Sequence, residues 1–495
     1  MTEPTAVASN PFPQIDPLVA AAWNLRAVVP PGGGASAYVA DALLLSAAPG
    51  EIPGRLDTIN KVAGELGIKV EATALGIAPG DGRGPVKLAP PIGRLALHGE
   101  PEDVDAWQLL GRLRRAGADA GVALDHAMVA TPYYAGVPYY AGVPYYAGVP
   151  YYAGVAGPPA TSYGSPGMGG RTPVSVVLPD PLMGRPRTKR APVVVVPDTG
   201  LEQHPWFQDP ATATAEVHVD GHLLGRHGTV PGSAVPEPVR NPLDGTLPPF
   251  AGHGTFIAGI IRQRCPEARI LGIPVMADDG VVSESCLIAT LQSLRTRQLS
   301  ALATGDQESP IDVLSLSLGY YHETPADRLA DAPLRALLED FGRLGVLVVA
   351  SAGNNSTTAP MYPAGFAAGP ASAGLLPLAG VGALNPDGTV AYFSNAGPWV
   401  SCHRPGAALV STMPTHLRGD RQMIAALENS GLPRATLDPD DFSGGFGVWS
   451  GTSFSAPVLA AELARALAGS AAPDLAERLA NGWAALGSTL GWKRP

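Results

Sequence analysis

The sequence predicts an α/β protein, a doubly wound and mostly parallel sheet preceded by a small α+β domain. Three observations predict it. Apolar runs such as Val193-Val194-Val195-Val196 and Val348-Val349-Ala350 are continuous rather than alternating, the pattern of strands covered on both faces. Between 253 and 350 such runs alternate with helix-length segments, which requires crossover connections and parallel pairing. Before residue 130 the order is instead β-α-β-β-α-β.

Taken in order, residues 1–36 are rich in Pro and Gly, end in Pro30-Pro31-Gly32-Gly33-Gly34, and read as an irregular arm. Residues 37–130 read as the small domain. Residues 38–45 form a strand, and 53–66 carry Leu56, Ile59, Val62 and Leu66 at helical spacing. Strands follow at 68–72 and 93–98, then a helix at 101–116 with Val104, Trp107, Leu110 and Leu113 on one face, and a closing strand at 121–126. This is a ferredoxin-like arrangement. Residues 131–189 read as a low-complexity linker. Pro-Tyr-Tyr-Ala-Gly-Val occurs four times without a break from Pro132 to Val155, and proline at every sixth place disfavours a helix. The basic run 185–190 reads as a solvated loop.

The remainder, 190–495, alternates a strand at 193–196, a helix opening at His253, a strand at 269–275, a helix at 283–299, a strand at 311–318, a helix at 328–344 and a strand ending at Ala350. Strands at 378–383 and 391–394 follow, then a polar and Gly-rich insertion at 414–448 that reads as a surface loop. A last helix opens near Ser453, with Pro457 accommodated in its first turn.

Composition narrows the class. A chain of 495 residues with 15% charged and 45% hydrophobic residues builds a globular core. The net charge of -10 argues against a nucleic-acid partner, which calls for basic patches. No apolar run approaches the roughly eighteen residues of a membrane-spanning helix. Met1-Thr2-Glu3 carries no basic region before an apolar core, so a cytoplasmic location is expected. Cys265, Cys286 and Cys402 are an odd number in a long chain, which implies no disulfide framework and leaves a single bridge open.

Three blocks carry chemistry. Asp198 ends the first buried strand, where open α/β sheets place ligands. His253 lies between Gly252 and Gly254 at a helix start. Ser453, within Gly451-Thr452-Ser453-Phe454-Ser455-Ala456-Pro457, opens a helix whose free N–H groups and dipole favour negative charge beside the hydroxyl. Carboxylate, imidazole and hydroxyl are the parts of a nucleophilic triad, and Asp, His, Ser is one of the chain orders in which it occurs.

On these blocks residues 190–490 resemble the subtilisin-like serine peptidases. Residues 348–354, ending in Asn354, and 311–319, ending in Ser317-Leu318-Gly319, agree as well. The resemblance implies a serine endopeptidase acting on proteins or peptides through Asp198, His253 and Ser453, with Asn354 as side-chain oxyanion donor. It implies that Ser317, Leu318 and Gly319 pair with extended substrate and that Ala352 and Gly353 wall its pocket. It implies no required cofactor. The family often binds structural calcium, which this sequence does not support: Asp209, Asp220 and Asp244 lack calcium-loop spacing, and Trp206 follows His204-Pro205 where an acid is common. By the same resemblance the 37–130 domain is an intramolecular inhibitor and chaperone of propeptide type, its end 125–130 lying in the cleft, and the chain acts as a monomer. Two other readings compete. An α/β-hydrolase esterase needs Gly-x-Ser-x-Gly and the order Ser, acid, His, which Ser453 does not fit. A catalytically weak peptide-binding pseudopeptidase, or a scaffold using the tyrosine repeat, is the alternative.

Overall fold

The computed structural model describes residues 15, 17–30, 35–78, 86–130, 171–177, 179–185, 189–233, 245, 247–306, 309–323, 333–368, 372, 374–420, 423, 425–470 and 474–495. The repeats, and the linker as far as residue 170, lie outside these residues.

The expectation of an irregular arm over 1–36 is corrected for residues 17–28, while 1–14, 16 and 31–34 lie outside the described residues. Helix α1 (Pro17–Ala22) leads through Asn24, at φ 51°, into strand β1 (Leu25–Val28). β1 lies antiparallel to β2 (Ser36–Ser46), with Leu25 opposite Val39 and Val28 opposite Ser36. Buried Val19 and Trp23 hold the segment down, a contribution from two isolated side chains that periodicity over so short a stretch does not reveal. α2 (Ile52–Gly64), β3 (Lys69–Ala74), β4 (Ile92–His98), α3 (Ala106–Ala116) and β5 (Val122–Ala130) complete the β-α-β-β-α-β order. The strands are antiparallel in the spatial order β3-β4-β2-β5. Leu43, Ile59, Leu95 and Leu110 form the core beneath α2 and α3. Asp105 caps α3 by accepting from the Gln108 N–H, and it pairs with Arg26 of β1 at 2.6 Å.

The second body begins at β6 (Thr172–Pro173). It continues through β7 (Val193–Asp198), β8 (Ala213–Thr214), the small hairpin β9 (His218–Val219) and β10 (His222–Leu223), α4 (His253–Arg264), β11 (Arg269–Pro274), β12 (Val281–Ser283) and α5 (Glu284–Thr304). Next come β13 (Val313–Leu316), β14 (Leu318–Tyr321), α6 (Pro333–Arg343), β15 (Leu347–Ser351), β16 (Met361–Tyr362), β17 (Ala379–Leu384), β18 (Cys402–Pro405) and β19 (Leu409–Thr412). The hairpin β20 (Ala426–Asn429) and β21 (Leu432–Ala435), then β22 (Phe446–Trp449), α7 (Thr452–Leu467) and α8 (Leu475–Leu490) end the chain. Seven strands make the main sheet in the order β18-β17-β15-β13-β7-β11-β8, and every pair is parallel. The residues of β7 alternate between two cores. Val193 and Val195 pack with Leu287 and Phe341 of α5 and α6, while Val194 and Val196 pack with Phe256 and Phe454 of α4 and α7. Helices on both faces are what an unbroken apolar strand demands.

Further expectations are corrected here. Residues 391–394 form turns closed by Ser394 N–H donating to Ala391 O, not a strand. The 311–318 strand breaks at Ser317 into β13 and β14. The end of the 131–189 linker is integral structure. β6 pairs with β22, and buried Arg171 donates to the carbonyls of Pro248, Pro249 and Ala251 while lying over the Trp449 ring. Arg190, read as part of a solvated loop, is buried against Asp312 at 2.8 Å, with Arg478 on the same carboxylate. A buried guanidinium needs such a partner, and these partners are far away in sequence.

The two bodies join along β5. Its end runs antiparallel to β12 through Ala127, Met128 and Val129, and to β14 through Val129 and Ala130. The Ala130 N–H donates to Gly280 O at 2.8 Å. Behind this junction Gln292 of α5 donates to Leu75 O and Ile92 O and accepts from the Ile92 N–H. Leu44, Ile92 and Met128 share one core with Leu287 and Leu291.

Candidate active site

Asp198 is delivered by the carboxyl end of β7 and His253 by the first turn of α4. His253 Nδ1 is 2.7 Å from Asp198 Oδ1, which also accepts from the Thr199 N–H at 2.8 Å. Both side chains are fully buried. The glycine after the histidine allows this approach. A Cβ on Gly254 would collide with the Gly200 carbonyl oxygen, so only glycine lets the helix start sit on the strand end. The Gly254 N–H donates to Thr199 Oγ1 at 2.9 Å and fastens the same turn. The carboxylate fixes the tautomer with Nδ1 protonated. Nε2 of His253 has no hydrogen-bond partner among the described residues. The ring is walled by Trp449 at 5.6 Å and Phe454 at 5.4 Å between centroids.

Ser453 lies in the first turn of α7, beside Phe454. Its hydroxyl donates to Ser317 O at 3.3 Å, and Ser317 Oγ donates back to Ser453 O at 2.9 Å. The second bond has a covalent cause. Pro457 sits four residues on and has no N–H, so it cannot supply the helical hydrogen bond that Ser453 O would otherwise accept. Pro457 is thus beyond the first turn, where the sequence reading placed it, and the Ser317 hydroxyl fills the gap. Asn354, just past β15, accepts with Oδ1 from both the N–H and the hydroxyl of Thr452, each at 2.9 Å. Two donors on one atom identify it as the oxygen and turn the amide NH₂ to the other side. The Gly353 N–H donates to Thr452 Oγ1 at 3.0 Å.

The other expected residues divide into two groups. Leu318 and Gly319 pair with Ala130 and Val129 of β5. A Cβ on Gly319 would strike the Tyr362 carbonyl oxygen, which keeps that strand edge low. Ala352 is a core residue whose carbonyl accepts from Asn395 Nδ2 at 2.9 Å; Gly353 holds a φ of 99° against the same Asn395. Sequence reasoning missed Thr452, which orients Asn354, and β12 with Gly280, the second edge along β5. A three-residue strand beside a glycine gives too little pattern to read.

Two further buried histidines differ electrostatically. His204 donates from Nε2 to Gly445 O at 2.9 Å and accepts at Nδ1 from the Trp206 N–H; burial pushes it down to about 4, against the pull of the Gly445 bond. His126 of β5 lies between Glu284 at 2.6 Å and Glu323 at 3.0 Å. Burial opposes its charge, yet the two carboxylates lift it to about 10. Asp125 accepts from the N–H and the hydroxyl of Ser285 at the start of α5. For calcium, Asp209 is used in its own turn, accepting from the Ala211 N–H, and Asp244 lies outside the described residues. No disulfide joins the three cysteines, and no described helix is long and apolar enough to cross a membrane.

The chain is 32% identical over 165 residues to subtilisin-like proteinase Mp1 of Magnaporthiopsis poae, covering 32% of this chain and 36% of that one. It is 29% identical over 224 residues to subtilisin BL of Lederbergia lenta, covering 45% and 66%. It thus spans from about a third to two thirds of the length of these curated relatives. Among solved structures it is similar to fervidolysin of Fervidobacterium pennivorans, described as a keratinolytic enzyme related to subtilisin, with a TM-score of 0.47, 18% identity, and coverage of 89% of this chain and 56% of that one. Residues 189–480 match the model of the subtilase family, and the chain belongs to that family.

Proposed function

We propose that the chain is a serine endopeptidase working through an acyl-enzyme, with protein or peptide substrates and as a monomer. The observation that carries this is the buried Asp198–His253 pair, held at 2.7 Å with Nε2 of the imidazole unclaimed, against the helix start that presents Ser453. On this reading substrate entry turns the Ser453 hydroxyl from Ser317 O to His253. His253 takes the proton as Ser453 attacks the carbonyl, and then gives it to the leaving amine. Asp198 keeps the tautomer and stabilises the imidazolium. The Asn354 amide NH₂ and the Ser453 N–H bind the oxyanion.

The end of β5 supports an inhibitory role for the amino-terminal domain. Met128 to Ala130 lie as an extended strand between β12 and β14, where a substrate's main chain would pair. Phosphonate labelling of active serine, followed by peptide mapping, tests both parts. The wild type is expected to label at Ser453, slowly while residues 1–130 are attached and faster once they are removed. Ser453→Ala is expected to take no label. Label that persists in Ser453→Ala refutes the nucleophile, and a rate indifferent to residues 1–130 refutes the inhibitor.

A further inference from the structure

We propose that His126, His322 and Glu323 form a binding site for one divalent cation of the zinc class, clamping the end of β5 to the segment that follows β14. His126 Nε2 is 3.0 Å and His322 Nδ1 3.4 Å from Glu323 Oε2, and the three donor atoms lie within 4.8 Å of one another. A tetrahedral zinc site with bonds of about 2.0–2.1 Å sets neighbouring donors about 3.4 Å apart, so these side chains need little movement to bind. All three are buried.

The surroundings fit a ligated imidazole. His126 Nδ1 is 2.6 Å from Glu284 Oε2, the carboxylate–histidine arrangement that aims the other nitrogen at a metal. Tyr320 stacks on the His126 ring at 4.3 Å and 18°, fixing its plane, and Tyr362 meets His322 edge-on at 6.1 Å. Charge also favours a divalent ion. Glu284 and Glu323 bring two buried negative charges, which one such cation with two neutral imidazoles cancels. The cation takes the place of the proton on His126 Nε2 and releases it to solvent. Two imidazoles and one carboxylate suit zinc; calcium takes six to eight oxygens. The cluster shares no residue with the Asp198, His253 and Ser453 site, so it stands whether or not the chain cleaves peptides.

The test uses the full, untagged Ser453→Ala chain, stripped with a chelator and titrated with Zn²⁺ alone by calorimetry, with Co²⁺ as a spectroscopic stand-in. One equivalent is expected to bind and to raise the melting temperature, and Co²⁺ is expected to give the visible bands of a four-coordinate site. His322→Gln and Glu323→Gln, checked for folding by circular dichroism, should each weaken binding at least 100-fold. X-ray absorption of the zinc-loaded chain, free of substitutions at the site, should show two imidazoles around the metal. Absence of stoichiometric binding, binding undiminished in both folded variants, or a shell lacking two imidazoles overturns the proposal.

Discussion

Two buried histidines, each held by carboxylate, sit in this molecule with opposite designs. His253 has one nitrogen on Asp198 and the other without a partner among the described residues. His126 has a carboxylate on each nitrogen. An imidazole engaged on one side only keeps its second nitrogen open to a proton. One gripped on both sides is a fixed cation or a ligand. The residue type is the same; what differs is the number of carboxylate partners, one at His253 and two at His126.

The sharpest way to break this comparison is to remove the orienting charge at His253. Asp198→Asn should lower kcat about 10⁴-fold, a size carried over from serine peptidases including subtilisin itself rather than derived from this geometry. Steady-state peptide hydrolysis measures it, and a loss under tenfold would remove Asp198 from the triad. At the other histidine, His126→Ala strands two buried carboxylates, and breaking such a pair costs about 3–5 kcal/mol. Thermal unfolding of the Ser453→Ala chain with and without this change, in metal-free buffer, reads it. An unchanged melting temperature would mean that His126 is no clamp. Asn354→Ala should cost about 10²–10³ in kcat with KM little altered, again the size established for the equivalent donor in subtilisin itself. A purely structural asparagine would move KM and stability instead.

The smallest effect belongs to His204, a third design in which one nitrogen donates and the other accepts. Its folded value of about 4 lies below the unfolded value of 6.5, so the unfolded chain binds more protons between these limits. Its contribution to stability is therefore full above pH 6.5 and lost as pH falls towards 4, by at most about 1.4 kcal/mol per pH unit. Chemical denaturation across this window, for wild type and His204→Gln, should show the slope flattened in the variant.

Legibility followed the range of the interactions. Val193–Asp198, the Gly-His-Gly helix start and the Gly-Thr-Ser turn are local devices, and the sequence displays them directly. Helices α2 and α3 of the amino-terminal domain were legible from spacing, although α3 starts at Ala106 rather than at 101, and the short α1 was not legible. What stayed hidden depends on partners far away. Arg171 and Arg190 look like surface residues until carbonyls near 250 and the carboxylate of Asp312 are brought to them. Ala391 and Phe393 alternate with exposed Tyr392 as a strand would, but the backbone closes into turns. β12 is too short to announce itself, although it forms half the groove that holds β5. The spacing of Asp209, Asp220 and Asp244 spoke against a calcium loop from the sequence alone, whereas His126 meets His322 and Glu323 only through folding.

Ala130 and Arg171, the described residues on either side of 131–170, are each held in place, the first by strand pairing and the second by three carbonyls. A single cut between them therefore breaks the covalent link and leaves the pairing of β5 with β12 and β14 intact. What changes is molecularity: an attachment that was independent of concentration becomes a bimolecular equilibrium, and dilution alone then acquires the power to empty the groove.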